Sequence, residues 1–492
     1  MRTMRTRRGS RSGWHASGAH LALQRGFTLV ELTVAMVAGL IVALGIVGLS
    51  RSATKTFNEE IRSSAAESAL RTAVDRLRSD LQRAAFMSTG NVQSDNMINR
   101  PVANTNNLPS VPPGFKGLRS LSAIQLGYQG SYTTNTIPQS AKQNPPVAPD
   151  WIQIGGNMTS AEQFDVAMIL PPNGTCQQIM LSPVSAAIYR VVTAGLGTAT
   201  GAQQLSNIFA PVATGGTNNQ FMVRLLDNQG CSQYLATCPG MAAPAGITNG
   251  QPFVWIDSVN TPILTAQSGQ QTTCTLSGYA AGTAWVNPVQ IVRWEIMSTT
   301  DEQTRAPQFV NGLGSILQGN NGLGNANVDP LKYDLVRSFV DAGSLGPIAS
   351  SAEVVAEYAV DLNFAFTVDT TNYGVSPNPT LVSYSFDDGG LSAQNWAMDV
   401  STLNPPPASP PTLTGPQRIR SVRTRLVTRS SVADRTSYVP PVMGQLSSTQ
   451  AFMYRYCLNP AGCALTGNVE QWARTRTATV ETALFNNATW TY

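Results

Sequence analysis

A run of 23 residues, FTLVELTVAMVAGLIVALGIVGL from Phe27 to Leu49, contains a single charge, Glu31. As a helix it would be roughly 35 Å long, enough to cross a hydrocarbon core of about 30 Å. Ahead of it lie Arg2, Arg5, Arg7, Arg8, Arg11 and Arg25, with no acid among residues 1–26. Arginines flanking an apolar span stay cytoplasmic, so the chain beyond Leu49 is expected to be exported. An ordinary secretory signal has a shorter apolar run, with its cleavage site behind it. Here the change of character comes before the run, at Gly26–Phe27.

That leader accounts for the charge balance. The whole chain has 32 bases and 28 acids, and the leader takes six of the bases. The remainder is nearly neutral, with 26 bases against 28 acids. Charged residues are only 12% of the chain. A nucleic-acid binder needs a field of Lys and Arg against phosphates, so this composition argues against one. Both histidines, His15 and His20, lie in the leader. The exported part therefore lacks Ser-His-Asp and Cys-His catalysis and any histidine zinc site. The four lysines, Lys55, Lys116, Lys142 and Lys332, make no S-x-x-K pattern. No catalytic residue, cofactor or metal site is expected, and the protein is read as not an enzyme.

Helical character continues past the apolar run. Residues 51–85 contain no Pro or Gly. Phe57, Ile61, Ala65, Leu70, Val74, Leu77, Leu81 and Ala84 recur mostly at helical spacing. A single helix from Phe27 to about Phe86 is predicted, its first half in the membrane and its second against a globular body. Gly39, Gly45 and Gly48 are weak points within it.

From Gly90 the chain turns β-rich. Residues 89–150 hold eight prolines and read as loop with short strands. Strand-like runs follow at 164–170, 186–192, 220–226, 252–259 and 288–297, rich in β-branched and aromatic residues. Stretches 310–326 and 404–416 read as Gly- or Pro-rich loops. Asp369, Asn372 and Gly374 form a D-x-x-N-x-G fragment, too sparse for a calcium loop and better read as a polar turn. Arg418, Arg420, Arg423, Arg425, Arg429 and Arg435 form the one strong charge cluster. It fits either solvated strand edges or a contact patch for an acidic neighbour. Six cysteines, Cys176, Cys231, Cys238, Cys274, Cys457 and Cys463, all lie in the exported part, where disulfides form. Six allow fifteen pairings. Short loops favour Cys457–Cys463 and Cys231–Cys238, which leaves Cys176 with Cys274.

Residues 25–32, RGFTLVEL, resemble the class III signal of type IV prepilins and type II secretion pseudopilins. The resemblance implies cleavage after Gly26 by a prepilin peptidase and N-methylation of Phe27. It also implies assembly into a filament through the N-terminal helix. Glu31 lies four residues beyond the new amine, on the same helix face. Pairing with a neighbouring subunit's amine would set axial register, whereas a glutamate at the headgroup boundary would pair with water. Segments 352–369, 419–430 and 476–487 resemble the PilW family of minor pilins.

The implied fold is α+β and type IV pilin-like. A long N-terminal helix packs on an antiparallel sheet body with a large β-rich insertion. The expected parts are a leader (1–26), a transmembrane or filament-core helix (27–49) and its amphipathic continuation (50–88). A β-rich insertion or first globular part (89–345) and a PilW-like C-terminal β region (346–492) follow. The implied role is a minor pilin in a complex that primes pilus assembly and sits at or near the tip. Implied partners are other minor pilins, the major pilin, prepilin peptidase and the inner-membrane assembly platform, with a large tip adhesin as a further one. The body would be periplasmic on a single inner-membrane pass before assembly. Two alternatives stand beside this: a tip-displayed adhesin on a pilin stem, and a J-type minor pseudopilin of type II secretion.

Overall fold

A computed structural model describes residues 28–92, 95, 97–98, 120–127, 149–212, 219–228, 230–241, 243–258, 284–298, 332–371, 378–386, 415–431, 455–457 and 472–488. The chain divides into two units, Met1–Ile61 and Arg62–Tyr492. Helix α1 runs from Leu29 to Gln82. Within the first unit its large apolar side chains, from Leu29 through Leu49 to Phe57 and Ile61, are all exposed. Leu29–Asn58 is long and apolar enough to cross a membrane. Such a segment is stable in lipid because a helix satisfies its own backbone polar groups. Gly39, Gly45 and Gly48 lie within unbroken helix.

Inside the second unit the same helix behaves differently. Leu70, Ala73, Val74, Leu77 and Leu81 are buried, while Arg71, Asp75, Arg78 and Gln82 between them face solvent. The spacing of three and four puts one face of the helix into a core. The expected stripe is thus real from Leu70 onward. Its earlier members Phe57, Ile61 and Ala65 stay exposed.

Among the described residues, sixteen strands form two sheets, and all their pairings are antiparallel. The first holds β1 (Ile124–Gly127), β2 (Trp151–Gly156), β3 (Phe164–Ile169), β4 (Cys176–Leu181), β5 (Met222–Asp227), β6 (Ser232–Ala236), β7 (Ala245–Thr248), β8 (Gln251–Asp257), β9 (Ala284–Ser298), β10 (Tyr333–Val340) and β11 (Glu353–Ala356). Its main path is β1-β2-β9-β3-β4-β8-β7; β9 also pairs with β5 and β10, which pair in turn with β6 and β11. The second contains β12 (Ala359–Asp369), β13 (Leu381–Ser383), β14 (Ile419–Arg429), β15 (Arg455–Cys457) and β16 (Trp472–Ala483), ordered β13-β12-β14-β16-β15. The described residues also hold short helices α2 (Ala186–Val191), α3 (Ala199–Phe209) and α4 (Phe485–Ala488).

One core contains Leu77 and Leu81 of α1, Ile124, Ile154, Val292 and Leu335 of the first sheet, and Leu362, Phe366, Val422 and Leu426 of the second. Burying each such aliphatic side chain stabilises the fold by roughly 1.5–3 kcal/mol. A second core lies wholly between Phe164 and Val286, and includes Ile179, Ile188, Leu205, Phe209 and Val254.

Three expectations change. Residues 186–191 are helix α2, not strand. Ala187 and Ile188 are buried there while Tyr189 and Arg190 face solvent, and so short an apolar run does not distinguish the two periods. The change of sheet falls between Ala356 and Ala359, beyond 345/346, because β11 turns back onto β10. Residues 89–345 are also not of one kind: β1, β2, β10 and part of β9 share the core of α1, whereas 164–286 has its own.

Candidate functional site

Of the expected processing and assembly residues, only Glu31 falls within α1. Gly26 and Phe27 lie outside the described residues. Glu31 is placed. Its carboxylate accepts hydrogen bonds from the Thr28 backbone N–H (3.0 Å) and the Thr28 hydroxyl (3.0 Å). The Glu31 N–H in turn donates to Thr28 Oγ1 at 3.2 Å. This is a reciprocal capping box, T-x-x-E, which satisfies donors that a helix start otherwise leaves free. A carboxylate inside an apolar segment is costly unless partnered. Within a single chain Thr28 supplies that partner. Thr28 was missed in the sequence, although the T-x-x-E spacing before an apolar run marks it.

At the other end of the helix, contacts lock α1 to the body. Asp80 is buried, and accepts from Arg337 Nε (2.7 Å) and Trp294 Nε1 (2.9 Å). Asn486 Nδ2 donates to the Gln82 carbonyl at 2.9 Å. The chain then turns through Ala85 and Met87, both with positive φ. The Ala85 N–H donates to the Gly155 carbonyl at 2.9 Å. A Cβ at Gly156 would stand 2.3 Å from the Arg83 carbonyl, so only glycine fits that approach. Asn487, fully buried, donates to the Pro416 and Ile419 carbonyls at 2.8 and 2.9 Å. The closing segment at 476–487 thereby acquires a physical role for its final asparagines.

The arginine cluster is neither a solvated edge nor a patch for an acidic neighbour. β14 lies between β12 and β16, not at an edge, and Arg418, Arg425 and Arg429 are buried. Arg418 donates to the Thr371 carbonyl (2.7 Å), Arg420 pairs with Asp369 (3.0 Å) and Arg425 with Asp361 (3.4 Å). Arg423 donates to the Tyr384 carbonyl, and Arg429 lies over the Tyr358 ring at 4.8 Å. Their partners belong to this same chain. Arg435 lies outside the described residues. Burial, partly offset by Arg425, pushes the Asp361 carboxyl up to about 6. Nearby, burial works against the Lys332 charge, but Asp334 and Glu357 outweigh it and hold its pKa up. Asp369 is occupied by Arg420 and Thr371, while Asn372 and Gly374 lie outside the described residues.

The cysteines pair otherwise than expected. Cys176 is bonded to Cys238, their Cα atoms 5.7 Å apart and 62 residues apart in sequence. That excludes both Cys231–Cys238 and Cys176–Cys274. Cys231 is disulfide-bonded as well. Cys274 and Cys463 lie outside the described residues, so Cys457–Cys463 is not placed. Loop length misled the pairing because antiparallel packing brings the start of β4 to the segment after β6, and proximity in the fold decides which thiols meet.

Residues 21–47 match the prokaryotic N-terminal methylation motif. That match supports a type IV pilin-like or pseudopilin protein. It implies processing by a prepilin peptidase and membrane-associated pilus assembly. No curated protein and no solved structure matches the chain. The α+β arrangement, a long apolar N-terminal helix followed by an antiparallel body, is consistent with a pilin-like fold.

Proposed function

We propose that this prepilin-like protein is a minor pilin of the PilW type. It joins other minor pilins in a complex that primes pilus assembly, and it remains at or near the tip. The observation that carries the reading is the methylation motif at 21–47, opening onto a helix whose apolar residues from Leu29 to Ile61 are uncovered. The loose likeness of 352–369, 419–430 and 476–487 to PilW segments narrows it. The large body supports an end position, because shaft subunits must stack closely along the filament. A J-type pseudopilin of a secretion system is the alternative, and body size counts against it. The reading assigns no catalytic residue, cofactor or metal.

In this reading Glu31 is held by Thr28 until assembly, when the Phe27 amine of a neighbouring subunit takes its carboxylate. A Glu31→Ala chain should insert and be cleaved, yet fail to co-purify other pilins. The processing itself is tested at Gly26. A bulky residue there should leave the full-length precursor in the membrane, and normal cleavage would sink the prepilin reading. Low-copy recovery of the protein from sheared pili tests the tip position; recovery with a secretion apparatus instead would favour the alternative.

A further inference from the structure

We propose that residues 157–289 are a module inserted into the β2–β9 hairpin, and that the outer face of its sheet binds an uncharged glycan. The surface assignment rests on the displayed-pilin reading above.

The insertion is read from the pairing. β2 and β9 run side by side from Ile152↔Trp294 to Gly156↔Gln290. The chain leaves the hairpin at residue 156 and returns at 290, where the two strands are still neighbours. Adjacent ends are what lets a foreign module enter a fold without disturbing it. Every member of the second core falls within this span, and so does the Cys176–Cys238 disulfide. A small third cluster, including Met222 and Tyr234 with Ile291 and Val340, joins the module to the body.

The sheet β3-β4-β8-β7 has two unlike faces. Ile179, Val254 and Ile256 point into the core against α2 and α3. Their sequence neighbours point the other way. Met168, Met180 and Phe253 thus form one cross-strand row, which ends at Gly246. Trp255 lies in the next row, directly opposite Gln178. Phe253 and Trp255 meet edge to face, with centroids 6.1 Å apart. Met168 is half-exposed, and Phe253, Trp255 and Gln178 are partly so. The rim beside these rings therefore carries an amide.

Charge decides the class of partner. The module holds six charged residues and no lysine. Arg224, Asp227 and Asp257 are buried, and Glu162 pairs with Arg190 at 2.6 Å. Half-buried Asp165 is the remaining one. Such a surface neither steers anions nor attracts cations. It also lacks the basic rim that seats an apolar patch on an anionic membrane. A sugar ring offers an apolar C–H face for an aromatic ring and hydroxyls for an amide, with no charge to match.

The test uses the processed full-length protein in detergent micelles, passed over immobilised amylose, cellulose, chitin and dextran at low and high salt. Retention on at least one matrix should survive high salt. Trp255→Ala should weaken it roughly tenfold, while Trp255→Phe keeps most of it. Unchanged circular dichroism and an intact disulfide would show that both variants fold. Binding to none of the four, loss of binding at high salt, or equal binding by Trp255→Ala would overturn the assignment. Presence in sheared pili is scored separately. A protein that binds glycan but is missing from pili defeats the tip reading; one found in pili that binds none defeats this one.

Discussion

Two stretches of one helix have opposite fates. Between Leu29 and Ile61 every large apolar side chain of α1 is exposed, whichever way it points. Between Leu70 and Leu81 only one face is apolar, and that face is buried while the polar residues stay out. From Leu29 to Leu49 the helix has lipid or other helices as its solvent, since apolar groups all round leave no polar face to show water. The second is stabilised by a specific core. Backbone geometry is common to both; the distribution of side chains decides which surroundings each can accept.

The largest contrast should come from charge. Asp80→Ala leaves Arg337 buried without its carboxylate, and should destabilise the body by about 3–5 kcal/mol. A urea midpoint unchanged within error would remove Asp80 as the tie between helix and sheet. Packing comes next. Leu77→Ala should cost the body about 3 kcal/mol, whereas Leu40→Ala should leave the same unfolding transition in place. Equal effects of the two would erase the distinction between the stretches.

Acid sharpens the comparison within the body. Asp361 has its folded pKa raised to about 6, above the ordinary 3.8, so the folded state holds a proton that the unfolded state releases. Its contribution is fully present below pH of about 4 and is lost as pH rises through about 6. The loss is on the order of 3 kcal/mol. Denaturant midpoints measured from pH 4 to 7 should fall with rising pH, and Asp361→Asn should flatten that slope. A rise in wild-type midpoint over the same window would contradict the sign. The smallest effect belongs to the exposed Glu67–Arg71 pair on α1. Glu67→Gln should change stability by less than about 0.5 kcal/mol, and that little should vanish in salt.

The anchor of α1 was legible in the sequence because its information is local. Twenty-three apolar residues behind a basic leader need no tertiary context to be read, nor does the three-and-four spacing from Leu70 to Leu81. Four of the five strand-like runs, at 164–170, 220–226, 252–259 and 288–297, were legible for the same reason. The end of the helix was not. Residues 82–88 contain neither Gly nor Pro, and the positive φ at Ala85 is held by the Gly155 carbonyl from a strand far along the chain. Thr28 was legible and overlooked. The Asp80–Arg337–Trp294 contact was not, because Asp80 lies 214 and 257 residues before its two partners on β9 and β10.

By itself, then, the sequence determined that a basic segment opens onto an apolar helix long enough to cross a membrane, and that a sparsely charged, nearly neutral, β-rich body follows. Those properties are sums over neighbouring residues. Only the tertiary structure decided that Cys176 meets Cys238, that the arginines of β14 turn inward to their own chain, and that residues 157–289 sit as a module inside one hairpin. Each depends on which distant strands lie side by side. Strand pairing is selected by the whole core at once, through burial that no single segment can evaluate.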